Sequence, residues 1–168
     1  MESIQHAAPT LIIQPTKAYD MLLKSIDYIV KAYNEKELDV QLDCPDSNIY
    51  VSANDLLQDV FENILINAVK YNENAKISIF IKISRNSEKG QNYIKFEFMD
   101  NGIGIEDKKK SFIFKPGNGE SKNSKGMGLG LSLVSKIIDY YKGKIWVEDK
   151  IEGDYSQGSN FIILLPEQ

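Results

Sequence analysis

Hydrophobic residues recur at spacings of three and four in three segments of the chain, and each of these segments is predicted to be a helix. The predicted helices span residues 17–33, 55–71 and 129–141. The second has the most regular apolar stripe, and the third is followed by Gly143, a residue type that is common just after a helix end. A helix with one apolar stripe must bury it, so we expect the second helix to pack flat on a sheet.

Alternation of apolar and polar residues predicts the strands of that sheet. Two central antiparallel strands are expected at residues 77–83 and 93–99, with the polar segment 85–91 as their hairpin loop. Further strands are expected at residues 11–14, at 39–42 and 48–52 joined by a turn, and at 144–148 and 160–165 as a closing hairpin. From Asp100 to Gly126 the chain is rich in Gly, Lys, Asn and Ser and too long for an ordinary connection, which indicates a functional lid or a disordered loop.

Composition restricts the possible classes of protein. The 168 residues fit one domain, and 42% hydrophobic with 26% charged residues is typical of a globular fold. A net charge of −4, with Arg85 as the only arginine, argues against a nucleic-acid-binding surface. The single cysteine, Cys44, excludes an intrachain disulfide and a Cys/His zinc cluster, and no apolar run approaches the ~20 residues of a membrane span. We therefore expect the domain to face the cytosol, whether or not its parent protein is membrane-bound.

The second predicted helix carries three polar residues that could act together. Asn63, Asn67 and Lys70 fall within roughly 60° of one another at about 100° per residue, at the border of the apolar stripe. An amide oxygen suits Mg²⁺, and a lysine suits a phosphate. The alternative is a solvated polar edge on an ordinary amphipathic helix, and this segment alone leaves both interpretations open.

Two glycine-rich segments follow. In the first, Asp100 ends a strand and precedes Gly102 and Gly104, so its carboxylate could accept a hydrogen bond from an amine while the glycines leave room for a flat ring; a simple hairpin turn is the alternative. In the second, residues 125–131, glycines alternate at the start of a helix, where N–H groups and the helix dipole favour a polyphosphate. Such a loop alone is weak evidence, because dinucleotide-binding folds also use one. Ser159, at the start of the last strand, could bring a hydroxyl to the same pocket or only begin the strand.

The order of these motifs resembles the catalytic and ATP-binding domain of sensor histidine kinases, within the ATPase superfamily that also contains gyrase, a heat-shock chaperone and MutL. The resemblance covers about residues 11–166. It implies a two-layer α/β sandwich (the Bergerat ATP-binding fold), in which a mixed sheet of about five strands carries three helices on one face and a long ATP lid. We expect residues 11–168 to form this domain and residues 1–10 to be an N-terminal segment or linker remnant.

The resemblance also implies roles for individual residues. Asn67 and Asn63 would hold Mg²⁺ and, with Lys70 on a phosphate, form the catalytic group. Tyr71 would lie along the adenine, Asp100 would bind its amino group, and Ser159 would help through a water. The other expected ATP-binding residues are Gly102, Ile103, Gly104, Ile105, Lys125, Gly126, Met127, Gly128, Leu129, Gly130 and Leu131.

Two departures from the family pattern bear on the chemistry. Hydrolysing relatives place a glutamate one turn before the Mg²⁺-binding asparagine, where this chain has Asn63, while Glu62 is rotated by about 100°. An amide cannot take a proton from water, so the pocket is suited to transfer rather than hydrolysis. The segment Phe112–Ile113–Phe114 occupies the place of the family's F box with its aromatic residues closer together.

The sequence therefore predicts a module that binds ATP and Mg²⁺ and supplies the γ-phosphoryl group to a histidine in two-component signalling. That histidine would belong to a dimerisation domain of the parent kinase, with a response regulator downstream, because the only histidine, His6, is followed by Ala7 and soon by Pro9 and is expected to have no catalytic role. The isolated domain is expected to be monomeric and to bind no nucleic acid. The alternatives are a serine kinase of the anti-sigma-factor type and a degenerate nucleotide-binding docking module.

Overall fold

Five strands form one mixed sheet in the order β2-β4-β5-β7-β6, and a separate pair, β1 and β3, lies beside it. The computed structural model describes residues 12–116 and 127–168, except for the side chains of residues 127–129. In chain order the elements are β1 (Gln14–Lys17), α1 (Ala18–Ala32), β2 (Glu37–Asp43), β3 (Tyr50–Ala53), α2 (Leu56–Lys70), β4 (Lys76–Glu88), β5 (Gln91–Asp100), α3 (Asp107–Lys110), α4 (Met127–Tyr140), β6 (Lys144–Ile151) and β7 (Asp154–Pro166). No helix in the described part of the chain is long and apolar enough to cross a membrane.

The connections explain the directions of the strands. The strands β2 and β4 run parallel because the chain between them crosses over through α2, whereas β4, β5, β7 and β6 pair antiparallel. A two-residue turn joins β4 to β5, and both of its residues, Lys89 (φ 49°) and Gly90 (φ 79°), have positive φ, which matches the twist of a tight hairpin.

The helices cover one face of the sheet, and α2 lies at its centre. Every second residue is buried on that face from Ile77 to Ile83 in β4 and from Ile94 to Asp100 in β5, and α2 packs between α1 and α4. The ring of Phe61 in α2 lies 5.2 Å from the ring of Phe96 and 5.8 Å from that of Phe98, both in β5. Burying one such side chain fully stabilises a fold by about 1.5–3 kcal/mol, so these contacts fix the position of α2 over β5.

The expected two-layer sandwich with a five-stranded mixed sheet is confirmed. All three expected long helices are present, and α3 adds a fourth, short one. The first strand begins later than expected, at Gln14. The expected strands at 39–42 and 48–52 exist, but they lie in different sheets, because β2 pairs with β4 while β3 pairs with β1. The expected ATP lid falls partly on residues 117–126, which lie outside the described residues.

The prediction of a hairpin loop at residues 85–91 is wrong. The strands continue to Glu88 on one side and from Gln91 on the other, so only Lys89 and Gly90 form the turn. Both faces of this end of the hairpin are largely exposed, so polar side chains there do not interrupt strand pairing.

One buried hydrogen bond joins the end of α4 to the start of α2. Tyr141 is 1% exposed, and its hydroxyl donates to Oδ1 of Asn54. The same oxygen accepts a hydrogen bond of 3.0 Å from the backbone N–H of Leu56, in the first turn of α2. This contact fixes the two helices relative to each other.

We expect Tyr141→Phe to lower the free energy of unfolding by about 1 kcal/mol, the usual contribution of a buried hydrogen bond. The measurement is urea denaturation followed by circular dichroism. The control is Tyr28→Phe on the outer surface of α1, which should leave stability unchanged because Tyr28 is 49% exposed. Equal stability of Tyr141→Phe and the wild type would contradict the proposed role of this bond.

Candidate functional site

A cavity of about 340 Å³ opens where the end of α2, the loop after β5, the start of α4 and the tip of the β6–β7 hairpin meet. Its volume is in the range of small-ligand sites. The residues that line it are Asn67, Tyr71, Asp100, Ile103, Gly104, Ile105, Glu106, Lys109, Ile113, Leu131, Tyr155, Ser159 and Phe161. Eight of these are site residues that the sequence predicted, although they come from four separate segments of the chain.

Asp100 is the buried carboxylate of the cavity wall. It ends β5 and is 6% exposed, and its Oδ1 accepts hydrogen bonds from the backbone N–H groups of Gly102 (2.8 Å) and Ser159 (3.2 Å). Burial raises the pKa of the Asp100 carboxyl, and these two bonds oppose the shift without cancelling it. Because both backbone donors reach Oδ1, the second oxygen is the one that a donor group on a ligand would use.

Two glycines let the loop after β5 pass between α2 and the β6–β7 hairpin. A Cβ on Gly102 would lie 2.5 Å from the carbonyl oxygen of Tyr71. A Cβ on Gly104, whose φ is +75°, would lie 1.7 Å from the carbonyl oxygen of Tyr155. The N–H of Ile103 donates to the Tyr71 oxygen at 3.0 Å, so the loop is bonded directly to the end of α2. Any larger residue at either glycine would push these backbones apart.

A network of amide side chains fixes the same loop from the other side. Asn72 Nδ2 donates to Asn101 Oδ1 (2.6 Å), and Asn72 Oδ1 accepts from the N–H of Asn74 (3.0 Å). Asn101 in turn accepts from the N–H of Ser78 (3.0 Å) and donates to the carbonyl of Lys76 (3.1 Å). Sequence reasoning did not identify Asn72 and Asn74, and their only signal was a cluster of asparagines after the second helix. The network fixes the chain at Asn101, directly after Asp100.

The predicted residues of α2 take different positions. Asn67 is 6% exposed and lines the cavity, as does Tyr71 just after the helix. Asn63 lies one turn earlier and donates from Nδ2 to the carbonyl of Asp59 at 2.7 Å. Lys70 is exposed and does not contribute to the described wall of the cavity. Glu62 accepts a hydrogen bond from Gln58 at 3.0 Å.

The start of α4 lies against these residues. A Cβ on Gly130 would be 2.8 Å from Oδ1 of Asn63, so the first turn of α4 approaches α2 closely, and Leu131 reaches the cavity. Met127, Gly128 and Leu129 form the first residues of the helix. Lys125 and Gly126, also predicted to bind the ligand, lie outside the described residues.

The remaining walls are mostly apolar. Three of the lining side chains are partly exposed, namely Ile103 (47%), Tyr71 (46%) and Tyr155 (42%), so together they leave apolar surface that a ligand could cover. Five of the lining residues were not predicted as site residues, namely Glu106, Lys109, Ile113, Tyr155 and Phe161. Of these, Ile113 lies in the Phe112–Phe114 segment and Phe161 in the predicted last strand.

The described residues contain no group of three or more His, Cys, Asp or Glu side chains that could enclose a metal. Mg²⁺ is commonly held through substrate phosphates with one or two protein oxygens. An amide oxygen can serve as such a ligand, and the buried Asn67 and, one turn earlier on the same helix, Asn63 each carry one.

The fold and the cavity together define a domain of the ATPase type. Residues 52–168 match the family described as histidine kinase-, DNA gyrase B- and HSP90-like ATPase. The chain belongs to this family.

Sensor kinases are among its relatives. The adaptive-response sensory kinase SasA of Gloeothece citriformis is 34% identical over 163 residues, which cover 93% of this chain and 39% of that protein. Cyanobacterial phytochrome B of a Nostoc species is 37% identical over 112 residues, covering 65% of this chain and 14% of the relative. The chain thus spans well under half the length of these relatives.

Solved structures confirm the fold. The mycobacterial sensor histidine kinase MprB superposes with a TM-score of 0.76 at 18% identity, covering 94% of this chain and 99% of that one. Full-length ShkA in complex with AMPPNP superposes with a TM-score of 0.74 at 22% identity, covering 96% of this chain and 32% of that one.

We expect Asp100→Asn to become more stable relative to the wild type as the pH rises from about 4 to neutral. The buried carboxyl has a raised pKa, so the unfolded state loses this proton first, near its ordinary pKa of about 3.9, and the wild type loses stability above that pH. In Asp100→Asn, the side-chain amide keeps an oxygen that can accept from the N–H groups of Gly102 and Ser159, and it carries no charge at any pH in this range. Urea denaturation of both proteins across this range measures the difference, and a difference that shrinks with rising pH would contradict the assignment.

Proposed function

We propose that this chain binds ATP with Mg²⁺ and presents the γ-phosphoryl group to a histidine on a separate dimerisation domain. The observation that carries the proposal is the buried Asp100, which offers one free carboxylate oxygen in the wall of a cavity that also contains Asn67. Membership in the histidine kinase-like ATPase family supports it. Residues 11–168 would form this domain, with residues 1–10 as an N-terminal segment.

The adenine would bind in the apolar part of the cavity. A buried carboxylate oxygen would accept a hydrogen bond from the exocyclic amine of adenine. Because Gly102 and Gly104 have no side chains, a flat ring could approach the backbone there. Ile103, Ile105 and Leu131 would contact the ring, Tyr71 would lie along it, and Ser159 would assist from the β7 side. A guanine presents a carbonyl where adenine has its amine, so this arrangement favours ATP over GTP.

The phosphates would extend toward the start of α4. Backbone N–H groups at a helix start and the helix dipole favour an anion, and the close approach of Gly130 to Asn63 brings this end of α4 to the polar side of α2. The residues proposed to contact the phosphates are Lys70, Lys125, Gly126, Met127, Gly128, Leu129 and Gly130. The oxygens of Asn67 and Asn63 would hold Mg²⁺, which neutralises phosphate charge.

The chemistry would be transfer to nitrogen rather than to water. A ring nitrogen of the acceptor histidine forms a bond to the γ-phosphorus while the bond to the β,γ-bridging oxygen breaks, and ADP leaves. Asn63 cannot accept a proton from water, and Glu62, the adjacent carboxylate, is bonded to Gln58. Catalysis by this chain therefore consists of positioning and charge neutralisation through Asn63, Asn67 and Lys70.

The length of the relatives supports the proposal of a larger assembly. Because this chain corresponds to 39% of SasA, a full kinase would supply the histidine-bearing dimerisation domain in the remainder. We propose a response regulator as the next phosphoryl acceptor, a cytosolic location for this domain, a monomeric state for the isolated chain and no nucleic-acid partner.

Calorimetric titration with a non-hydrolysable ATP analogue and Mg²⁺ tests nucleotide binding. We expect saturable binding by the wild type, and at least about a tenfold weaker affinity for Asp100→Asn, because a hydrogen bond to a charged group contributes about 1.5–3 kcal/mol. Asn67→Asp should weaken binding as well, since it places a negatively charged side chain near the negatively charged phosphates.

The matched control is Asp27→Asn on α1, a carboxylate that is 64% exposed and remote from the cavity. It should bind as the wild type does, and circular dichroism should show that every variant is folded. A wild type that does not bind would refute the proposal and favour a docking module.

Transfer is tested by incubating the chain with γ-labelled ATP and the dimerisation domain of the same kinase. We expect an acid-labile label on the dimerisation domain and none on this chain, and a rate at least about a hundredfold lower with Asn67→Asp, the usual effect of losing a group that stabilises transition-state charge. An acid-stable label on a partner would instead indicate a serine kinase.

A further inference from the structure

The tip of the β6–β7 hairpin extends beyond the main sheet and over the cavity. The strand β5 pairs with β7 only as far as the pair Met99 and Asn160, whereas β6 and β7 continue to the pair Ile151 and Asp154. Between the pairs Asp149–Ser159 and Ile151–Asp154 the register of β6 and β7 shifts, so the intervening residues of β7 form an irregular segment beyond the end of β5. This segment carries Tyr155, which lines the cavity.

Three contacts hold the tip in place. The Tyr155 carbonyl lies so close to Gly104 that a Cβ there would be 1.7 Å from its oxygen. Asp154 Oδ1 accepts hydrogen bonds from both the backbone N–H (3.1 Å) and the hydroxyl of Ser156. Lys110 of α3 forms an ion pair with Asp149 of β6, in which both side chains are largely buried. The backbone of Tyr155 is thus packed against Gly104, and the neighbouring parts of the hairpin are held by the Asp154 bonds and the Lys110–Asp149 pair.

Tyr155 is only partly buried. It is 42% exposed at the cavity, and Tyr71, just after α2, is 46% exposed. These residues come from elements far apart in the chain, and a flat ligand entering between them would cover apolar surface on both. Aromatic stacking of this kind binds a base through its π-face and does not depend on the pattern of donors and acceptors at its edge.

We propose that Tyr155 covers one face of the bound base and is a determinant of nucleoside affinity. The inference rests on the proposed function. The two residues would have separate roles. Asp100 would accept a hydrogen bond from the amine at the edge of the base, and Tyr155 would contact the face of the base. Tyr155 would act on the nucleoside and not on the phosphates.

The test is calorimetric titration of the full chain with two ligands, the ATP analogue with Mg²⁺ and adenosine alone. We expect Tyr155→Ala to lower the affinity for each of the two ligands by the same factor, about tenfold, as is usual for removal of one stacking residue. Tyr155→Phe should restore both affinities to within about twofold, because it keeps the ring.

The control is Tyr28→Ala, an equally exposed tyrosine on α1 that does not line the cavity, and urea denaturation checks that each variant is folded. Unchanged affinity of Tyr155→Ala, or a loss for the ATP analogue with no loss for adenosine, would refute the role of Tyr155 while leaving the proposed function intact. Absence of binding by the wild type would refute the proposed function and this inference together.

Discussion

The site depends on one buried carboxylate, that of Asp100, and on the two backbone N–H groups that bind it. These bonds join the end of β5 to the glycine loop through Gly102 and to β7 through Ser159. A carboxylate loses hydration when it is buried, so this arrangement is unfavourable for stability and is tolerable only because donors replace part of the lost water. The same burial makes the remaining oxygen a strong acceptor for a ligand, because the local dielectric constant is low.

The core determines where this carboxylate faces. Contacts of Phe61 with Phe96 and Phe98 place α2 across β5, so that Asn67 and Asp100 line one cavity although they lie in different elements. The amides of Asn72 and Asn101 then bond the chain after α2 to the chain after β5. Stability and site geometry are therefore coupled, and a change in the packing of α2 would move both walls of the cavity.

If the proposed function holds, the chemistry of the wall accounts for the need for a second domain. Glu62 is engaged by Gln58, and the position one turn before Asn67 is an amide, so neither is suited to activate water. A pocket that holds ATP without hydrolysing it can keep the γ-phosphoryl group for a nucleophile on a second domain, as the proposed function requires. The family membership agrees with this arrangement, and so does the fact that the chain matches only 39% of the longer kinase SasA.

The sequence by itself determined the class of fold and the wall residues that lie in motifs. Helical periodicity located α2, and glycines next to Asp100 indicated a ligand loop, because these signals are local and depend only on neighbouring residues. The polar residues at 85–91 led to the wrong prediction of a loop, because strands that are exposed on both faces carry polar residues on both faces.

Only the tertiary structure decided which residues complete the cavity. Tyr155 has no local signal, and it reaches the cavity because β6 and β7 pair beyond the end of β5 and the chain packs on Gly104. Asn72 and Asn74 likewise acquire a role only through contacts with Asn101, 27 or more residues away. Such roles arise from the relative positions of distant segments, which no local pattern of residues encodes.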